Sequence, residues 1–169
     1  MSKMVALERF TNELFDLLDE TFEQVHGIYL DRGTSLFETL QTISAEEASR
    51  PVSKNCASIA AQVEHIRFYL DILEGHILKK NVGTVDWQEI WRYTREVTSE
   101  EWKDSQDRLK ESYQRVLKLM RSLDTWEGEN DIAGSLAILV HTAYHLGEIR
   151  QALCVVRQTA NPEGQDIPK

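Results

Sequence analysis

The chain has 169 residues, with 19 Lys or Arg against 28 Asp or Glu, a net charge of −9. That length, with a hydrophobic fraction of 41%, fits one globular domain, read as residues 1–160 with a C-terminal tail over 161–169, and excludes disordered and collagen-like chains. The acidic balance leaves no nucleic acid and no membrane surface as expected partners, because both are bound through clustered basic residues.

Cys56 and Cys154 are the two cysteines. They lie far apart and outside any C-x-x-C spacing, so neither a disulfide framework nor a cysteine zinc cluster is expected. Their small apolar neighbours predict buried thiols that pack as small hydrophobes. The first ten residues include Glu8 and Arg9 and lack the apolar run of a signal peptide. The most apolar stretch, 132–147, falls short of the roughly twenty residues a spanning helix needs. A cytoplasmic protein is the expectation.

No alternating β-branched run of useful length occurs, and the chain reads as all-α. The first amphipathic segment is 4–30, where Leu7, Phe10, Leu14, Leu17, Leu18, Val25, Ile28 and Tyr29 recur at three- and four-residue spacing. Gly33 is placed to end it. A short helical piece, 36–43, and a polar connection to Asn55 follow. The second long helix is predicted over 57–78, with Ile59, Val63, Ile66, Leu70, Leu73 and Ile77 on one stripe.

Residues 79–97, with Trp87 and Trp91, read as a loop with one helical turn. A capping box, Thr98-Ser99-Glu100-Glu101, opens the third helix, whose apolar positions run from Trp102 to Leu123. Trp87, Trp91, Trp102 and Trp126 are expected to anchor the core or a dimer contact. A turn over 124–130 leads to a fourth helix, 130–158. Four striped helices of this kind make a four-helix bundle.

The fourth helix carries the chemistry. At 100° per residue, Ile132, Leu136, Leu139, Ala143 and Leu146 share one face, and His141 and His145 point nearly the opposite way. No charged residue occurs over 132–147, so burial on both faces is expected, with Gly134 and Ala137 leaving space beside the histidines. His141 and His145 are one turn apart, the H-x-x-x-H spacing that lets two imidazoles chelate one ion. A third ligand must come from another helix. His26 and His76 lie near helix ends and read as surface residues. His65, on the second helix beside Gln62, Tyr69 and Ile72, is the better candidate.

The run Ser58-Ile59-Ala60-Ala61-Gln62-Val63-Glu64-His65-Ile66 resembles the first metal-ligand helix of the DinB-like (YfiT-like) superfamily of metal-dependent enzymes. The run His141-Thr142-Ala143-Tyr144-His145-Leu146-Gly147-Glu148-Ile149-Arg150 resembles its second motif, H-x-x-x-H-x-G-Q-I, in the family's order. The stretch 36–40 is similar to the family's approach to the first motif. The resemblance implies an up-down four-helix bundle, often a homodimer, with a divalent ion (Ni2+ or Zn2+) held by His65, His141 and His145 between the second and fourth helices. Characterised members of that family include thiol-dependent S-transferases and a thiol-dependent maleylpyruvate isomerase, which implies a small-molecule substrate such as a low-molecular-weight thiol. A three-histidine centre with open positions suits a metal-dependent hydrolase as well as a thiol S-transferase.

Glu148 stands where the family commonly has Gln. It lies on the histidine face, where a carboxylate orients a histidine, acts as a base, ligates directly or is simply solvated at a cavity mouth. With Tyr144 it is the nearest candidate catalytic acid/base group. Two rival functions stand beside catalysis: a metal-binding module without turnover, and a dimeric structural bundle whose histidines are merely packed.

Overall fold

The structure is a computed structural model, and it describes residues 5–78 and 96–160. Trp87 and Trp91, most of the predicted 79–97 loop and the 161–169 tail lie outside the described residues. The described residues are helical, without strands, and form six helices packed together: α1 (Leu7–Phe22), α2 (Leu36–Leu40), α3 (Ala45–Ser49), α4 (Ile59–Ile77), α5 (Ser99–Arg121) and α6 (Asp131–Ala160). None of them is long and apolar enough to cross a membrane.

Local chemistry sets most of the helix starts. Ser35 and Glu38, Ser44 and Glu47, and Thr98 and Glu101 form reciprocal capping boxes on α2, α3 and α5, each relieving first-turn amides that have no helical partner. Ser58 caps α4 by accepting from the Ala61 N–H. The polar connection of the sequence reading thus contains a helix, α3, too short to show periodicity.

The first helix stops eight residues earlier than its apolar spacing predicts, at Phe22 rather than near residue 30. The cause is Glu20, a fully buried carboxylate. Its oxygens accept the backbone N–H groups of Ile28 at 2.8 Å, Tyr29 at 2.9 Å and Leu30 at 2.7 Å. The chain folds back over the end of its own helix to reach it, turning through Gly27 at φ +84°, a conformation that suits glycine. Ile28 and Tyr29 are therefore exposed loop residues and not core.

Helix α4 is the centre of the molecule, packing chiefly against α5 and α6, while α1 lies against α6 and α3 touches α4, α5 and α6. Beneath the α1 turn, Phe22 stacks on Tyr113 with centroids 4.0 Å apart, and Phe37 packs on both. Trp102 is buried and donates from Nε1 to the Ile43 carbonyl at 2.8 Å. Trp126 is buried edge-on to Phe10 and Phe15. The rim of the α4–α5 seam is polar. Asp71 accepts from Arg67, Ser112 and Arg115, and Glu64 accepts from Arg67, Ser105 and Arg108.

Helix α6 departs from the sequence reading in the face it buries. Ile138, Thr142, His145, Ile149 and Leu153 are inside, whereas Ile132, Leu136, Val140 and Tyr144 are exposed. The expected burial on both faces holds for the histidine side and for Leu146 on the opposite side, but not for Ile132 and Leu136, which meet solvent. Both cysteines are also exposed rather than buried, Cys56 with its Sγ 3.0 Å from the Ser53 hydroxyl. Small neighbours did not bury them: Cys154 is on the outward side of α6, and Cys56 precedes the α4 cap.

Candidate metal centre

The α4–α6 contact brings His65 against the H-x-x-x-H pair. One ligand nitrogen from each of His65, His141 and His145 falls within 4.8 Å of the others, and the Nε2 atoms of His65 and His141 are 3.1 Å apart. The ring centroids of the three lie 4.5 to 5.0 Å from one another. His26 and His76 are exposed, as their positions predict, and His26 bonds Asp19 at 2.6 Å.

Burial keeps these imidazoles neutral. Desolvation, reinforced by the charge of His145, lowers the pKa of His65 to about 4. Desolvation, then the charges of His145 and His65, lowers that of His141 to about 3. His145 is also lowered by desolvation, with Glu148 pulling the other way. Neutral rings are the form in which a nitrogen lone pair is available to an ion. Two Nε2 atoms at 3.1 Å can share at most one hydrogen, so at least one of them presents a lone pair at the contact. Ligation at about 2.1 Å per nitrogen puts tetrahedral neighbours about 3.4 Å apart, close to what is found. An all-imidazole set fits zinc, nickel and similar borderline divalent ions.

Two further groups order the cluster. Glu148 Oε2 is 2.8 Å from His145 Nδ1, which favours the proton on that nitrogen and makes Nε2 the ligating atom. Tyr69 stacks on His141 with centroids 3.7 Å apart and planes within 7°. The sequence names Tyr69 only as a neighbour of His65; its partner is on the other helix, and nothing short of the α4–α6 register identifies it. Tyr144 meets His145 edge-on at 5.0 Å. Its hydrogen bond to Glu148, and then the charge of that carboxylate, raises the hydroxyl pKa, so Tyr144 stays protonated at neutral pH.

A cavity of 1370 Å³ borders the cluster at His145. His145, Tyr144, Gly147, Glu148, Ala61 and Gln62 are among its walls, together with most of the loop that leads into α4. The space therefore lies at the Gly147 end of α6, not beside Gly134 and Ala137 as the sequence suggests. Gly134 instead packs on Ile77. The arrangement gives an ion three protein donors, an access route and a carboxylate–histidine pair at its edge.

No family model matches the chain, and neither does any curated protein or solved structure.

Proposed function

We propose that the protein binds one divalent ion, nickel or zinc, through His65, His141 and His145, and that this centre serves a DinB-like hydrolase or thiol S-transferase. The observation that carries the reading is the convergence of three neutral imidazoles from α4 and α6, one of which, His145, also lines an open cavity. The long helices α1, α4, α5 and α6 would correspond to the four members of an up-down bundle, with α2 and α3 as connections.

Three protein donors leave coordination positions open, the pattern of a catalytic rather than a structural site. A bound divalent ion supplies Lewis acidity and lowers the pKa of a water or thiol beside it. The chain's own groups do the rest. Glu148 holds the His145 Nδ1 proton and so orients the ring. Its carboxylate, partly exposed to the cavity, is placed to take a proton from a nucleophile entering there. Tyr144, kept protonated by the neighbouring Glu148 carboxylate, is placed to return one. The loop that leads into α4 limits how a substrate enters.

A second reading, a dimeric bundle in which the histidines only pack, draws support from the exposed apolar row on α6. Elemental analysis of untagged protein separates the two. The expected result is close to one equivalent of divalent metal in the wild type and little in His65→Ala or His141→Ala. Equal content in all three proteins would sink the metal-centre reading.

A further inference from the structure

We infer that the cavity takes an amphipathic small molecule, with a metal-ligating head at the His145 edge of the centre and an unbranched apolar tail that runs along α6 to Val155 and Val52. The inference rests on the metal-centre reading above and adds to it the class of ligand.

The register of α4 against α6 gives the cavity its direction. His65 on α4 meets His141, and Arg50, which precedes α4, reaches Thr159 near the end of α6. The two helices therefore run antiparallel, and residues before His65 face residues after His141. The cavity follows that later part of α6, from His145 through Glu148 and Gln151 to Val155. Between His145 and Val155 a helix rises about 15 Å at 1.5 Å per residue, so the space is elongated, with the histidine at one end. Facing it are Ala61 and Ala57 on the α4 side, then Val52 and Pro51 of the loop before α4.

The chemistry changes along this length. At the His145 end stand a carboxylate and a phenol, Glu148 and Tyr144, with 42% of the Glu148 side chain exposed. Further along, the lining hydroxyls are already engaged within the chain. Ser58 Oγ accepts the Ala61 N–H, and Ser49 Oγ donates to the Ala45 carbonyl and accepts the Val97 N–H. The amides of Gln151 and Asn55 belong to exposed residues, which reach water without a ligand. The far end presents Ala152, Val155, Pro51 and Val52, surface that gains by being covered with apolar carbon and offers a polar tail nothing for its lost water. Among the described lining residues the charged groups besides Glu148 are Lys54 and Glu96, one of each sign and both exposed. No basic cluster is present there to hold a phosphate or polycarboxylate.

The test uses nickel-loaded, full-length protein and four unbranched hydroxamates, aceto-, butano-, hexano- and octanohydroxamate, titrated by calorimetry. Their heads are identical and only the tail lengthens, so the series reads the tail site without any turnover. The expected result is an affinity that climbs about two- to fourfold per added methylene, with a heat-capacity change that grows more negative along the series. Val52→Asp, at an exposed loop position, and Val155→Asn are each expected to keep their nickel and their affinity for acetohydroxamate. Both should lose most of the gain shown by octanohydroxamate. Wild-type protein that holds nickel yet binds all four probes equally, or none, overturns the tail assignment alone, as does a gain that survives in both variants. Wild-type protein that takes up no nickel overturns the metal-centre reading, and this inference with it.

Discussion

His145 has two ring nitrogens, and the Glu148 carboxylate 2.8 Å from Nδ1 engages one of them, so the other faces the centre in a fixed tautomer. Carboxylates in this position tune both ring orientation and ligand basicity. Glu148→Ala is therefore expected to weaken metal binding about 10- to 100-fold, whereas Glu148→Gln, which still offers an acceptor, should lose much less. Competition with a chromophoric chelator measures both. An unchanged affinity in Glu148→Ala would mean that the carboxylate is only a solvated group at the cavity mouth. Tyr69 acts on His141 by a different force. Its ring lies flat on the imidazole, a contact worth about 0.5–1.5 kcal/mol. Tyr69→Phe keeps the stack and should bind metal as the wild type does; Tyr69→Ala should lose about three- to tenfold by the same titration. If both variants bind equally, the stack is incidental.

Elements are where the sequence was most and least informative, and Glu20 explains one of its failures. Apolar spacing located α4, α5 and α6 because their buried stripes repeat along one helix. The α1 terminus depends on a carboxylate reaching residues eight to ten positions later, and no periodic pattern encodes that. The exposed side of α6 was not foreseen for a related reason: burial on both faces was expected because no charge occurs over 132–147, and nothing in the pattern marks which apolar side meets solvent. The histidine triad was legible because two members are one turn apart and the third sits mid-helix in an apolar run.

Glu20 also yields a prediction with a definite sign. Burial pushes its pKa up, but the N–H groups of Leu30, Tyr29, Ile28 and His26 together outweigh that, and the net shift is downward from the ordinary 4.5. A carboxyl with a lowered folded pKa binds protons more readily when unfolded. It contributes stability above about pH 4.5, and that contribution is lost as pH falls through the folded value. Glu20→Gln should thus cost about 2 kcal/mol near neutrality, in the range for hydrogen bonds to a charged group. The difference from wild type should shrink steadily below pH 4.5. Urea unfolding across pH 3 to 7 checks this, and a pH-independent gap would show that the charge of Glu20 is not what holds the 26–30 segment.

On the scale of the whole molecule, the exposed row Ile132, Leu136, Val140 and Tyr144 follows one side of α6 at four-residue spacing, with Val140 65% and Tyr144 62% exposed. A chain of net charge −9 repels its own copies over most of its surface. This row lies in a stretch with no ionisable acid or base other than His and Tyr, so it is where two copies approach at least electrostatic cost. A two-fold contact places the same row of each copy face to face, and Val140, near its middle, would meet its counterpart or a close neighbour. Val140→Glu sets like charges into that contact and should shift a wild-type dimer to monomer in sedimentation velocity, with metal content unchanged. Tyr144 belongs both to this row and to the cavity wall, so the second copy would narrow the cavity mouth. A wild type that sediments as a monomer at tens of micromolar would remove the dimer and leave the row unexplained, while the three-histidine centre would stand on its own metal analysis.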